Sequence, residues 1–566
     1  MGILRKLVKQ ADSLVHAGDP DREGQLLVDE LINYLGVKGA KKNGIQRVLI
    51  SDLNPNAVRR SLSQLRSNRE FIPLSTSALA RSRADWLYGI NLTRACTLQG
   101  RKVGYNGVLS VGRVQTPVLG LVVRRDQEIE AFVSKPFYDV LALIQTQDDQ
   151  KQQFKAKWLP SEACQPHMDE EGRVLSRALA ENVVQRIEGK PATVKTLESK
   201  PSRQSPPLPF SLSALQIEAG KRFGMSAKQV LDHAQSLYER HKVITYPRSD
   251  SRHLPLEQHD MASSVMGAIA KANTALDKAV KAADAHLKSK AFNDKKVDAH
   301  HAIIPTAKAI SAGRLSAQEL KLYELIARQY LAQFYSDHLY TDTKVTLDIA
   351  GGQFRARSRM VRELGWKALL GREKKSGEGD TGDHVSEHLP TLSVGQVLQC
   401  IKGECLEKQT QAPKAFTDAS LLAAMTGIAR FVSDSELRKV LKETDGLGTE
   451  ATRAGIIELL FKRRFLTRQG KQIRSTEAGR GLIDSLPVQT TRPDMTAQWE
   501  ATLNAMVSRT AHYKDFMGDL IPGLTTLVEK SSTTLPVALK GVKSAPIKRR
   551  KPKAVKKPRA KKLNAK

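Results

Sequence analysis

Two short runs carry residue types whose spacing suits chemistry on a phosphate. Asp19-Pro-Asp21-Arg-Glu23 sets three carboxylates at alternating positions. Alternation lets their oxygens converge on one hard cation, and Mg²⁺ takes a few carboxylates together with water and substrate phosphates. The same spacing suits an ordinary acidic surface turn, and spacing alone leaves both readings open. The second run is Ile244-Thr-Tyr-Pro-Arg-Ser-Asp250. Tyr246 precedes a proline, which biases it toward an exposed extended conformation. Arg248 lies two residues on, so in extended chain it shares a side with Tyr246. A phenol beside a guanidinium fork fits attack on a phosphodiester: the phenol oxygen forms a covalent phosphotyrosine while the arginine grips phosphate oxygens bidentately. Most Tyr-Pro pairs are loop residues, so this run too is ambiguous when taken alone.

The elements that must position these runs are legible as patterns. SLVHAG reads as a short apolar strand, DPDREG as a turn, and QLLVDELINYL as a helix. That is the βα unit of an α/β domain, with the acidic turn at the strand's carboxyl end, where ligands bind. From Asn54 to about Ile129 the pattern is helical, interrupted by GRKVGYNGVLSVGRVQTP. Two separated regions then alternate with period two, one holding FYDVLALIQT and FKAKWL, the other KVTLDIA, FRARSRM and VLQCIK. Between them, from about Gln204 to Leu339, the signal is mostly helical, which implies one β domain with a helical domain inserted into it. Beyond Thr417 the chain is helical again to about Val528. No repeat of 20 to 50 residues is present.

Composition narrows the partners. The 566 residues carry a formal charge of +31, with pI near 9.9 and 40% apolar residues. Such a length implies three or four domains, and such a charge attracts polyanions, nucleic acids above all. Thirteen Lys or Arg and no acid lie from Lys540 onward, and removing them from +31 still leaves +18 on the body. The cysteines at 96, 164, 400 and 405 form no CxxC pair, which argues against a zinc ribbon and a disulfide framework. No stretch approaches the roughly 20 apolar residues of a membrane span, so no membrane partner is expected.

Taken together, the runs resemble a known family. AGDPDREGQLLVDE resembles the acidic half of a Toprim domain, and ITYPRSD the active-site tyrosine segment of type IA DNA topoisomerases. ALARSRADWLYGINLTRA and GVLSVGRVQTPVLGLVV (Ala78 to Val123), LPFSLSALQIEAGKRFGMSAKQVLDHAQSLYE (Leu208 to Glu239), DAHHAIIPT (Asp298 to Thr306) and DGLGTEATRAGIIELL (Asp445 to Leu460) follow in the family's order. The wording of these motifs is similar to topoisomerase III. The resemblance implies a partial Toprim α/β domain over 1–72 and a helical DNA-binding domain over 73–132 and 406–530. It implies a β arch or hinge domain over 133–203 and 340–405, a helical domain bearing the tyrosine over 204–339, and a disordered basic tail over 531–566. It further implies a toroid whose hole passes a second strand.

Residue by residue, the resemblance implies Tyr246 as nucleophile toward the 5′-phosphate of a broken strand and Arg248 as holder of the scissile phosphate. His300 matches the histidine near that site. Asp19, Asp21 and Glu23 match a Mg²⁺-binding triad. Arg94, Arg101, Ser110, Val111, Gly112, Arg113, Val114 and Gln115 match segments that contact single-stranded DNA. Without the motif, His300 and His301 read as a solvated pair. The implied substrates are single-stranded and negatively supercoiled DNA, handled by a monomer in the cytoplasm on nucleoid or plasmid DNA, with a helicase or single-strand-binding protein as a possible partner. The family opens with a strand bearing Glu-Lys, which nothing before Asp19 supplies. The expectation is a chain lacking the first part of its Toprim domain, with catalysis in doubt, and the alternative reading is a fragment that only binds single-stranded DNA. A different Toprim enzyme, a primase or nuclease, has no use for TYPRSD.

Phosphodiester exchange conserves bond energy, in keeping with the absence of a GxxxxGK[ST] loop. A tyrosine near pH 7 is a poor nucleophile, and Arg248 is expected to favour its phenolate. Aromatic residues are 5% of the chain, so affinity should rest on phosphate contacts and weaken with salt. The polar loop Leu159 to Arg173 resembles the insertion that topoisomerase III uses in decatenation.

Overall fold

The computed structural model describes every residue except 312, 371–384, 387–388, 433, 437, 440–445 and 545–566. Asp445 and most of the basic tail therefore lie outside the described residues. At the amino end, β1 (Val15–His16), β2 (Gln46–Arg47) and β3 (Arg66–Ser67) form a small sheet in that order, β1 and β2 parallel, β3 antiparallel. α1 (Gly2–Gln10), α2 (Arg22–Tyr34), α3 (Gly39–Asn43) and α4 (Pro55–Ser63) surround it. The strand expected over SLVHAG shortens to two residues because β2 offers only two partners. Asp21 caps α2 by accepting a 2.6 Å bond from the Gly24 amide, a contact of the kind that starts helices firmly.

α5 (Ile72–Lys102) and α6 (Gln115–Glu130) flank the glycine-rich piece. Asp85, Gly89, Thr93 and Thr97 recur every four residues on α5 and so share a face. That face pins the loop: Thr93 Oγ1 accepts from the Val111 amide at 3.0 Å, Thr97 Oγ1 from the Leu109 amide at 3.1 Å, and Asp85 from Arg113 Nε at 2.7 Å.

The two alternating regions pair into one sheet. β4 (Pro136–Gln145), β5 (Gln153–Leu159), β6 (Pro191–Gln204), β7 (His338–Ile349), β8 (Gly352–Glu363), β9 (Val385–Ser386) and β10 (Val397–Gln409) run in the order β5-β4-β10-β6-β7-β8-β9, and β5 also pairs with β8. That last pairing closes the sheet into a ring. Its interior is filled at period two by Val140, Ala142 and Ile144, Phe154, Ala156 and Trp158, and Phe354 and Ala356. Cys400 is buried in this core as well.

Gln204 on β6 faces His338 on β7. The chain thus leaves the ring and re-enters it at adjacent points, and the helical insert hangs from the β6–β7 pair. α7 (Arg177–Ile187) precedes β6 and packs on β4 and β10, whereas the insert holds α8 (Leu212–Phe223), α9 (Ala227–Ser236), a π-helical turn over Leu237–His241, and the helix Ala317–Leu331. The carboxyl-terminal helices Asp418–Thr426, Glu450–Lys462, Asp494–Val507 and Tyr513–Thr533 return to α5 and α8. The tail begins later than 531, since the helix runs to Thr533 and Leu539 is fully buried against Gly481.

Arg113 is buried between two carboxylates, with Nη1 3.0 Å from Glu500 Oε1. Burial pushes the Glu500 carboxyl up, but Arg81, Arg113 and Arg22 outweigh it and hold it at about 2. Removing one member of such a buried set costs about 3–5 kcal/mol, because it strands the others. Arg113→Ala is therefore expected to lower the melting temperature and speed amide exchange over residues 85–115. Unchanged protection there would refute Arg113 as an interior brace.

Candidate active site

Tyr246 is positioned by pairing between the two motifs that flank it in space. Thr245 donates its amide to the Ile304 carbonyl at 2.9 Å, and its Oγ1 donates to the Ala302 carbonyl at 3.1 Å and accepts from the Ile304 amide at 3.0 Å. Thr306 donates its amide to Val243 at 3.0 Å and its hydroxyl to the Lys242 carbonyl at 2.8 Å. ITY is thus stitched to AIIPT, and this brings His300 to the tyrosine. The two rings stack with centroids 4.5 Å apart, and Tyr238 meets Tyr246 edge-on at 5.8 Å. Lys242, at φ 61°, turns the chain in the left-handed region between the π-helical turn and this segment. Such strained turns and π-bulges collect at functional sites.

Arg248 departs from the extended placement expected from sequence. Pro247 and Arg248 form a turn, so the guanidinium leaves the line of the strand. It is exposed, and Nη2 donates to Gln235 Oε1 at a long 3.4 Å.

Across the cavity stands the acidic turn. The cavity, about 530 Å³, is lined by Asp19, Asp52 and Asn54 on one side and by Tyr238, Lys242, Tyr246 and His300 on the other. Gly18 and Gly24 make the turn tight: a Cβ on Gly24 would sit 2.5 Å from the Asp19 carbonyl. Arg47, fully buried, clamps it from beneath, donating to the carbonyls of Gly18 and Asp19 at 2.7 Å each and to Gln25 Oε1 at 2.8 Å. Arg47 was not visible as a site residue in the sequence, where it is one arginine in an apolar stretch, QRVLI.

The three acids are separately engaged. Asp21 caps α2, Glu23 pairs with Arg81 at 3.0 Å, and Asp19 faces the cavity. Alternation brings side chains together in extended chain, and α2 starts at Arg22, so the run is not extended throughout. Among the described residues no group of three His, Cys, Asp or Glu is arranged to hold a metal ion. In this structure the three carboxylates are not gathered as one metal-binding group.

The electrostatics around Tyr246 also differ from the sequence expectation. Burial, the largest influence, raises the phenol's pKa, Asp19 and Asp21 add to that, and Arg248 pulls it down. The sum is upward, so the resting phenol is protonated. His301 is not a solvated partner of His300: it is buried, with Nδ1 2.9 Å from the Ala302 carbonyl and Nε2 3.8 Å from Asp52 Oδ1. Gln258 Nε2 donates to Asp52 Oδ2 at 2.8 Å, and Arg60 pairs with Glu257. These contacts join the amino-terminal unit to the helical insert.

The other sequence candidates lie along α5 and the loop after it. Arg94 and Arg101 are exposed and share a stripe of α5 with Trp86, 64% exposed, and Ile90 and Leu98. Trp86 is an aromatic that the motif reading passed over. Ser110, Val111, Arg113 and Gln115 are buried, while Gly112 and Val114 are partly open. Ser110 Oγ has no hydrogen-bond partner among the described residues.

Comparison with known proteins follows the same lines. A family described as DNA topoisomerase matches residues 69–518, and the Toprim domain family matches residues 1–53. The chain is 55% identical to DNA topoisomerase 3 of Vibrio cholerae, over 95% of this chain and 83% of that one. To DNA topoisomerase 3 of Salmonella typhimurium it is 53% identical, over 97% and 85%. To that of Bacillus subtilis it is 34% identical, over 90% and 68%. The solved structure of full-length topoisomerase I from Thermotoga maritima superposes with a TM-score of 0.64 over 94% of this chain and 80% of that one. At 20% identity, that likeness is one of fold.

Asp52 supplies a pH test of the joint. Burial raises its pKa, but His301, Gln258 and the Asn54 amide bring it down to about 2 from an ordinary 3.8. A depressed carboxyl stabilises the fold above its unfolded pKa and loses that contribution as pH falls through the folded value. Nearly two pKa units correspond to about 2 kcal/mol. Asp52→Asn should loosen the joint by that order above pH 4, with the difference from the parent fading toward pH 2. Amide exchange over 50–60 and 255–261 reads this, and a pH-independent difference would refute it.

Proposed function

This chain belongs to the bacterial DNA topoisomerase family, and from that premise we propose that it changes DNA linkage by transient cleavage of one strand through Tyr246. The phenol oxygen attacks the scissile phosphorus, forming a 5′-phosphotyrosine, and the deoxyribose 3′ oxygen leaves. Attack of the resulting 3′-hydroxyl on the phosphotyrosine reverses the step and reseals the strand. Bond energy is conserved, so no nucleotide triphosphate is consumed. The observation that carries this reading is the cavity itself: a half-buried tyrosine stacked on His300, facing Asp19 across the joint between two parts of the chain.

The chain's own residues supply the rest. Exposed donors of Arg248 suit the two free oxygens of the scissile phosphate. Because the phenol rests protonated, its proton must leave as the bond forms, and Asp19 and His300 stand on the cavity wall to receive it. The outward stripe Trp86–Ile90–Arg94–Arg101 on α5 offers an aromatic and cations to a single strand, the combination that binds unpaired DNA by stacking and phosphate contact. Arg113, buried and braced, is better suited to shaping the 103–114 loop than to touching DNA. Relaxation of negative supercoils and decatenation are the proposed outcomes. The loop 159–173 serves the second: it is a built structure, with Asp169 accepting from the amides of Glu171 at 3.0 Å and Arg173 at 2.9 Å.

Tyr246→Phe removes one oxygen and should abolish covalent adducts to a labelled single-stranded oligonucleotide, leaving affinity within a few fold. Residual adduct in the variant would exclude Tyr246 as nucleophile; none in the parent chain would leave a protein that only binds. Deleting 160–172 and joining the ends with a short glycine link should lower unlinking of catenated circles more than relaxation of supercoils. Equal losses in the two assays would count against a specific role for the loop.

A further inference from the structure

A second cavity lies on the far side of the wall that carries Tyr246. It is about 470 Å³, and Arg240, His241, Lys271, Lys308 and Arg314 line it. No acid lines it. Among the described residues Arg240, Lys271, Lys308 and Arg314 form no ion pair. Four cations gathered with no carboxylate paired to any of them repel one another, an arrangement that an anion drawn into the cavity would relieve.

The wall is shared, residue by residue. Tyr238 and Lys242 line the tyrosine cavity, whereas Arg240 and His241 between them line the basic one. Thr306 and Ala307 line the first, Lys308 and Ala309 the second. The π-helical turn Leu237–His241 makes this division, since its wider winding changes the directions of successive side chains. His241 is held at the back of the basic cavity, 3.6 Å from Glu319, which Ser236 and Ser316 also engage.

Every residue lining this cavity belongs to the same helical insert as Tyr246. Whatever it holds therefore travels with the tyrosine. Resting on the cleavage reading above, we propose that the cavity holds a backbone phosphate of the DNA segment that Tyr246 retains covalently, the segment on the 3′ side of the cut. A second grip of this kind prevents the retained segment from swinging about a single phosphotyrosine bond, so the free 3′-hydroxyl finds its target again.

The test uses the full chain and single-stranded oligonucleotides carrying one uncharged methylphosphonate linkage at successive positions. Each phosphate contact on a single strand contributes about 0.7 to the slope of log affinity against log salt. Lys271→Ala/Lys308→Ala should reduce that slope by about 0.7, and Lys271→Arg/Lys308→Arg should restore it, which separates loss of charge from loss of fold. One neutral linkage on the 3′ side of the mapped cut should weaken the parent chain and leave the alanine variant unaffected. An unchanged slope, or sensitivity confined to linkages on the 5′ side, would overturn the proposal. So would displacement of the oligonucleotide by millimolar inorganic phosphate beyond the effect of chloride at equal ionic strength, since that would assign the cavity to free phosphate. Adduct formation by the parent chain is scored separately, so failure of the cleavage reading is distinguishable from failure of this one.

Discussion

The joint between the amino-terminal unit and the helical insert is the constraint on which the site depends. Asp19 and Tyr246 are more than 200 residues apart in sequence, and neither alone makes a catalytic cavity. They face each other because Asp52 is gripped by Gln258 and His301, and Arg60 by Glu257. All of these are polar contacts. By contrast, the insert shares a continuous apolar core with α5, α6 and the carboxyl-terminal helices, and no residue of 1–72 belongs to that core. Apolar burial sums over area and is hard to undo piecemeal, whereas a few hydrogen-bonded charges part and re-form with water standing in. On the strand-passage reading proposed above, a seam must open, and the polar one qualifies.

The same joint explains the state of the phenol. Closing it buries Tyr246 and sets it against the charge of Asp19, and both effects favour the neutral form. A tyrosine that ionised at rest would be charged in a cavity already holding a carboxylate, and the two would push the seam apart. A strand bringing its own phosphate adds negative charge, which raises the demand on Arg248 and Lys242 at the rim. On the proposed cleavage reading, the chemistry is therefore conditional on DNA being present together with its counter-charges.

Much of this was legible in the sequence, and the rest was not, for identifiable reasons. TYPRSD and AHHAIIPT were readable as motifs, and the two alternating regions as strands of a common sheet. Closure of that sheet through β5 and β8 was not, because period two gives the face of a strand and says nothing of its neighbour. Arg47, Asp52 and His301 were missed as organisers. Each is a polar residue buried by a partner far away in sequence, and no local pattern marks such a pairing. The acidic triad's alternation assumed extended chain, whereas Asp21 is the cap that begins α2. Arg248 lies in a turn opened by Pro247 rather than in continuing strand, yet its charge still reaches the Tyr246 phenol.

The large positive charge, undivided in the sequence, separates in the structure into two populations. Arg47, Arg113 and Arg453 are buried, and each is satisfied internally: Arg47 by carbonyls and Gln25, Arg113 by Asp85 and Glu500, Arg453 by Glu450, Ser213 and the Leu447 carbonyl. Their charges are cancelled where they stand, so they shape the fold and contribute little field outside it. Arg94, Arg101, Arg240, Arg248, Lys271 and Lys308 are exposed, and none has a carboxylate partner among the described residues. Their field reaches solvent undiminished except by salt. A residue's type therefore does not decide whether it binds DNA here. On the proposed reading, what decides is whether the fold has already supplied its counter-charge, and by that criterion the exposed face of α5 and the two cavities flanking residues 237–246 are where a phosphate backbone would complete the structure.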